Sequence, residues 1–327
     1  VTEGHYIALS GGVGGAKLAF GLAHILSPEA LTIVANTGDD FAHLGLHISP
    51  DLDTLVYSLA GLANRTTGWG REDESWNFMA AMEQLDGECW FQLGDKDLAL
   101  HVERTQRLAN GETLSEVIAA LARAFGVEHK IVPMSNDPVR TVVRTTSGEL
   151  DFQHYFVREK CKPIVTGFRF AGIERASPSP GFLAALERSD LKAIIICPSN
   201  PFVSVDPILM LPGVADILRE RQVPIVAVSP IVGGMAIKGP AAKMMTELDM
   251  PSTAFTIAKY YQQVIDGLII DHQDQNLVDD IKKINLNALA ANTVMNCDTD
   301  KTQLAGQVLD FVEHIAASGF SVRKVPA

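Results

Sequence analysis

Gly11-Gly12-Val13-Gly14-Gly15-Ala16-Lys17 follows the apolar run Tyr6-Ile7-Ala8-Leu9 and precedes a helical pattern of Leu18, Phe20, Leu22, Ile25 and Leu26. Strand, glycine turn, helix is the reading. Glycines let backbone amides approach a ligand closely, and a helix N-terminus favours an anion, so the stretch reads as a phosphate cradle. It is not a Walker A loop, because the adjacent Gly-Lys pair and the Ser/Thr that would hold magnesium are missing. Nor is it a dinucleotide fingerprint, since Lys17 stands where the last Gly or Ala belongs. The competing reading is a tight strand-to-helix turn that needs glycine only for packing.

Outward from this turn, other apolar runs end in polar loops in the same way. Leu31-Thr32-Ile33-Val34-Ala35 stops at Asn36-Thr37-Gly38-Asp39-Asp40, and Lys130 to Met134 reaches Ser135-Asn136-Asp137-Pro138. Ala193 to Cys197 empties into Pro198-Ser199-Asn200-Pro201, and Pro224 to Val228 into Ser229-Pro230, then Lys238 and Lys243. Gly267-Leu268-Ile269-Ile270 is a last such run, and an amphipathic helix is expected over Thr302–Ala316. Continuous β-branched runs are the mark of strands buried on both faces, so the fold class is α/β, a doubly wound, mostly parallel sheet. In such a sheet the C-terminal strand ends share one edge, which brings these loops around one crevice. Lys238 and Lys243 are the basic residues best placed to face a phosphate there, against the alternative of solvated loop lysines.

Ser49-Pro50-Asp51-Leu52-Asp53-Thr54 precedes Leu55, Val56, Leu59 and Leu62 at helical spacing. Asp39, Asp40, Asp51 and Asp53 would repel one another unless a hard divalent cation lies between them and bridges to phosphate. The alternative is two helix N-terminal carboxylates and two turn formers. Residues 64–130 read as a helical cap or insertion holding Trp69, Trp76 and Trp90 and the polar segment Gln92-Leu93-Gly94-Asp95-Lys96-Asp97-Leu98. Aromatic side chains there can form a slot for a ring-shaped ligand, or simply fill a small core. His43 and His101 read as bases, ligands or ordinary buried histidines. A hairpin turning at Ser147-Gly148 is expected over Val142–Phe156, with Phe152–Val157 as its second strand.

The chain has 327 residues, 47% hydrophobic and 20% charged, with a net charge of −12, which suits one sizeable core. That charge argues against nucleic-acid or anionic-membrane partners. Four scattered cysteines without a CxxC pair point to reduced cytoplasmic thiols. No apolar run is long enough to span a bilayer, and export is not expected.

Taken in order, Gly-Gly-x-Gly-Gly-Ala-Lys-Leu, Asn-Thr-Gly-Asp-Asp, Ser-Pro-Asp-Leu-Asp-Thr, Leu-Gly-Asp-Lys-Asp, Met-Ser-Asn-Asp-Pro-Val, Pro-Ser-Asn-Pro, Val-Ser-Pro-Ile-Val-Gly-Gly and Lys-Gly-Pro-Ala resemble the 2-phospho-L-lactate transferase (CofD/FbiA) family, bacterial branch, of deazaflavin-coenzyme biosynthesis. The likeness runs from Leu9 to about Lys243, and it implies a single Rossmann-like domain over residues 1–327. It further implies transfer of a phospholactyl or phosphoenolpyruvyl-type group from a guanosine diphospho-donor, with Mg2+. The acceptor is the ribityl hydroxyl of Fo (7,8-didemethyl-8-hydroxy-5-deazariboflavin), and guanosine monophosphate leaves. By the same likeness Asp53 and Asp51 are catalytic candidates, Asp53, Gln92 and Lys96 face Fo, and Asp40 and Asp51 hold the metal. Gly11, Gly12, Gly14, Gly15, Lys17, Asn36, Thr37, Ser199, Asn200, Ser229 and Lys238 line the nucleotide and phosphate side. Gln92 stands where archaeal relatives carry Lys, with Lys96 as the substitute. Two other functions compete: a non-catalytic nucleotide-sugar-binding regulator of the same superfamily, and a nicotinamide-dependent oxidoreductase, which the failed fingerprint disfavours. A homodimer is the default assembly.

Overall fold

A computed structural model describes residues 4–64, 66, 68–220 and 222–318. The apolar runs form seven strands: β1 (His5–Ser10), β2 (Leu31–Ala35), β3 (Lys130–Pro133), β4 (Leu191–Ile196), β5 (Ile225–Val228), β6 (Gly267–Asp271) and β7 (Asn287–Ala291). They lie in the order β7-β6-β5-β4-β1-β2-β3, and every pairing is parallel. This is the order of a dinucleotide-binding sheet with one strand added, and its direction of winding reverses between β1 and β4. Leu9 pairs with Val34 on one side and with Ile196 on the other, so the glycine turn, the Asn36 loop and the Pro198 loop leave the sheet at one level.

Alternate residues feed two cores, as the period of a strand requires. Ile7, Leu9, Val34, Ile194, Ile196, Ala227 and Ile270 face one, while Tyr6, Ala8, Ile33, Ile195, Val226 and Ile269 face the other. The second core is roofed by α1 (Gly12–Ile25), α2 (Pro50–Leu59) and the C-terminal helix Asp298–Ser318. The first is covered by helices within 180–261 and by an antiparallel sheet of Arg140–Thr145, Gly148–Asp151 and Val165–Ala171.

Between β2 and β3 lie a short hairpin (Phe41–His43 and Leu46–Ile48), α2, and the helices α3 (Asn77–Gln84), α4 (Asp95–Ala109) and α5 (Leu114–Ala124). Helix α5 buries Val117, Ile118 and Leu121 in the sheet-facing core and starts at a Thr113/Glu116 capping box. It is thus a crossover helix of the sheet layer, and the part of 64–130 that stands out as a cap holds α3 and α4.

Two sequence expectations need correction. The hairpin strand placed at Phe152–Val157 is Gly148–Asp151, and His154–Arg158 is a π-helical turn. Strand β7 is an addition to the expected strands, an Ala-rich segment at the sheet edge that carries no β-branched run. The C-terminal helix begins four residues before Thr302, at Asp298. No single helix among the described residues is long and apolar enough to cross a membrane.

A partly buried carboxyl group, Asp206, begins the short helix Asp206–Leu209 in the loop after β4. Asp206 accepts a hydrogen bond from the Tyr260 hydroxyl at 2.5 Å, and burial, opposed by that bond, pushes its pKa from 3.8 up to about 7. Between those values the folded state keeps the proton while the unfolded chain releases it, so stability falls as pH rises through that window. Asp206→Asn is therefore expected to be more stable than the wild type by a few kcal/mol at pH 8 and to lose that advantage by pH 4. Urea melts at the two pH values check this; equal differences at both would contradict it.

Candidate functional site

At the end of β1 the backbone stays extended through Gly11 (φ −147°, ψ 145°) and turns into α1 at Gly12, whose φ of +65° favours glycine. The remaining glycines serve packing. A Cβ on Gly14 would run into the carbonyl oxygen of Pro198, and one on Gly15 would sit 2.5 Å from Ser10 Oγ and 2.6 Å from Ser199 Oγ. Helix α1 therefore lies directly against the loop after β4. Gly14→Ala is expected to cost about 1–3 kcal/mol, because backbone must shift at the meeting of two loops. Thermal melts compare it with the wild type, and an unchanged Tm would refute the close approach.

The Gly11 amide donates to Ser199 Oγ at 3.1 Å, and the Gly12 amide to Asp51 Oδ1 at 2.7 Å. These two cradle positions are held by protein groups, which leaves the following amides of the first turn of α1 as the donors for an anion. Lys17 departs from expectation. Its ammonium donates to the Met295 carbonyl at 2.6 Å and so ties α1 to the loop after β7 instead of facing the turn. Burial, then Lys238 and Lys301, lower its pKa.

Asp51 and Asp53 both lie in the first turn of α2, with Pro50 at its start. Residues two apart on a helix point to different sides, and the pair diverges accordingly. Asp51 turns toward the glycine turn, where its second oxygen accepts from Asn36 Nδ2 at 2.9 Å. Asn36 also donates to the Val203 carbonyl at 3.2 Å and accepts from the Gly38 amide at 2.8 Å. One residue therefore links the loops after β2 and β4 to α2. Burial pushes the Asp51 carboxyl up to about 6.

Asp40 Oδ2 accepts from Ser49 Oγ at 2.8 Å and contacts His47 Nε2 at 3.1 Å. The Oδ1 atoms of Asp39 and Asp40 are buried without a partner, as are Ser10 Oγ, Thr37 Oγ1 and Thr141 Oγ1. Burial raises the Asp39 pKa well above its usual range, and the neighbouring Asp51 and Asp40 raise it further. Buried carboxylate oxygens left unpaired beside other carboxylates are costly, and a hard cation is the group that fits them. Each Asp51 oxygen accepts one hydrogen bond, whereas one oxygen of Asp39 and one of Asp40 have no partner.

Asp53 turns toward α4. Both its oxygens contact the guanidinium of Arg104, one through Nη2 and the other at 3.2 Å from Nη1, and Arg104 is fully buried. The buried His101 ring lies between two carboxylates, with Nδ1 3.7 Å from Asp53 Oδ2 and Nε2 3.3 Å from Asp97 Oδ2. Tyr57 from α2 donates to Asp97 Oδ1 at 2.5 Å. Burial raises the Asp53 pKa; Arg104 and then His101 act against that rise. Asp97 and Arg104 were not singled out from the sequence. The signal was there: Asp97, His101 and Arg104 recur at i, i+4 and i+7, a polar stripe along one helix face.

Other expected residues are placed less directly. Gln92 Nε2 donates to the Cys89 carbonyl at 2.8 Å and Lys96 Nζ to the Asp73 carbonyl at 2.6 Å, so both polar ends close loops of the cap. Asn200 caps the turn Pro201–Val205 through the Phe202 amide, and Ser229 Oγ bonds both the amide and the carbonyl of Ile231. The Lys238 ammonium lies against Gly68, which also borders Val13 of the glycine turn. Lys243 pairs with Glu247 at 2.5 Å, away from the turn. The three tryptophans do not form one slot. Trp69 and Trp76 meet edge to face at 6.5 Å and are about half exposed, whereas Trp90 packs on Phe41, His43, Phe91 and His154.

Comparison with known proteins gives the family and the fold. Residues 7–311 match the family described as 2-phospho-L-lactate transferase CofD. The chain is 37% identical over 309 residues to a 2-phospho-L-lactate transferase of Methanococcoides burtonii, covering 94% of this chain and 100% of that protein. It is 36% identical over 318 residues to a phosphoenolpyruvate transferase of Streptomyces griseus, covering 95% and 99%. A solved UPF0052-family protein of Bacillus halodurans shares the fold, with a TM-score of 0.61 at 13% identity over 94% of this chain and 99% of that one. On the match over most of its length, this transferase chain belongs to the 2-phospho-L-lactate transferase (CofD) family.

Proposed function

We propose that the protein transfers a phospho-three-carbon-acid group, phospholactyl or phosphoenolpyruvyl in type, from a guanosine diphospho-donor to the ribityl hydroxyl of Fo. The observation that supports this reading is Asp51, which joins the Gly12 amide at the N-terminus of α1 to Asn36 of the loop that also carries the buried unpartnered oxygens of Asp39 and Asp40. One side offers amides to phosphate oxygens, and the other offers a place for a divalent cation that neutralises diphosphate charge. Asp39 and Asp40 would hold Mg2+ with Asp51 beside them. The loops at Ser199-Asn200 and Ser229 to Lys238 would hold the guanosine side. Asp53 would accept the hydrogen bond of the attacking hydroxyl.

The reaction needs positioning more than covalent chemistry. The acceptor oxygen forms a bond to the phosphorus that carries the three-carbon acid. The bridging P–O bond breaks toward guanosine monophosphate, and the hydroxyl proton is lost to the Asp53 side or to solvent.

The test combines the protein with Fo, Mg2+ and lactyl- or enolpyruvyl-diphosphoguanosine and follows guanosine monophosphate release. Release that needs all three components supports the transferase. Nucleotide binding without release would support the regulator reading instead.

A further inference from the structure

Helix α4 carries a buried polar stripe. Arg104 is completely inaccessible, His101 is 2% exposed, and both point at Asp53 on a different helix. A buried arginine is expensive to hold in a fold unless its fork is satisfied by a fixed partner. Here the fork takes both Asp53 oxygens, and a further Nη1 contact reaches the His47 carbonyl at 3.2 Å. That carbonyl belongs to the hairpin strand whose His47 side chain contacts Asp40, so one guanidinium fixes α2 and the acidic loop together. His101 fills the space between Asp53 and Asp97, and Tyr57 holds Asp97 from the same helix that carries Asp53. The α4 N-terminus is anchored in turn, since Glu74 accepts from the Lys96 and Asp97 amides at 2.8 and 2.9 Å.

We infer that Arg104, with His101, is a positioning residue that sets the plane of the Asp53 carboxylate and its register with the Asp39-Asp40 loop. This rests on the transferase reading above. Arg104 touches no substrate in this scheme; it acts through Asp53. A misplacement of about 1 Å in a reacting group can cost about 10²-fold in rate, so the effect belongs in kcat and not in substrate affinity.

The experiment uses Arg104→Lys, which keeps the buried charge but loses the two-pronged fork. In the guanosine monophosphate release assay, kcat is expected to fall by about 10- to 100-fold, with KM for donor and acceptor within about threefold of wild type. His101→Asn is expected to lower kcat by about tenfold with the same KM pattern. A folded Arg104→Lys with near-normal kcat overturns the inference. If Arg104→Lys does not fold, a near-normal kcat of His101→Asn overturns it. Equal losses spread over kcat and both KM values also count against it, since they mark general loosening of the fold. Wild-type turnover is the control: with no release by the wild type, the transferase reading and this inference fall together, whereas wild-type release beside a fully active Arg104→Lys overturns the inference alone.

Discussion

Asp53→Asn is expected to lower kcat for guanosine monophosphate release by about 30- to 1000-fold, or ~2–4 kcal/mol of transition-state stabilisation. The amide keeps the size of the carboxylate but turns an N–H2 toward a guanidinium that has only donors to offer. The hydrogen-bond acceptor at the hydroxyl is weakened, and the orientation imposed by Arg104 is lost in the same step. Donor binding should change little, because the Asp51 side of α2, with Gly12 and Asn36, is untouched. Steady-state kinetics with a circular dichroism check of folding measures this. A folded variant of near-normal activity would remove Asp53 from the mechanism while leaving the phosphate side intact.

The second large effect concerns stability. Arg104→Met should cost about 3–5 kcal/mol, because it leaves the Asp53 carboxylate buried without its counter-ion. The loss depends on pH. Burial already raises the Asp53 pKa and Arg104 is the main group opposing that rise, so removing Arg104 lets the pKa climb further. The carboxyl then folds more readily when protonated, and the penalty shrinks as the pH is lowered. Urea melts at pH 8 and pH 5.5 should therefore show the larger deficit at pH 8. The double variant Asp53→Asn/Arg104→Met should recover part of the loss, since no uncompensated charge remains. A deficit independent of pH and unrelieved in the double variant would assign the cost to the cavity left by a long side chain.

Much of the sheet could be read because its information is local. Strands β1, β2, β4 and β5 are each built on an apolar run closed by Gly, Pro, Ser or Asn, and such runs form strands wherever they find neighbours. The shared level of their ends follows from parallel winding, so the grouping of the loops after β1, β2 and β4 is legible too. Strand β7 escaped because an edge strand needs less apolar sequence. The π-helical turn at His154 escaped because alternation alone does not distinguish it from a strand.

Within the site, the sequence by pattern and motif order identified the glycine turn, the acidic loops and the family. Tertiary structure alone decided how those residues divide their work. The 100° step of a helix sends Asp51 to the glycine turn and Asp53 to α4, although they sit two positions apart in one motif. The partner that fixes Asp53 lies 51 residues further along the chain, where no local pattern marks it as a neighbour. The glycines read as a cradle are equally a matter of room, because α1 rests on the carbonyl of Pro198. Lys17 follows its helix face to the Met295 carbonyl. Local sequence sets backbone conformation and composition, whereas the direction a side chain takes, and the charge it meets there, depend on how separate elements pack.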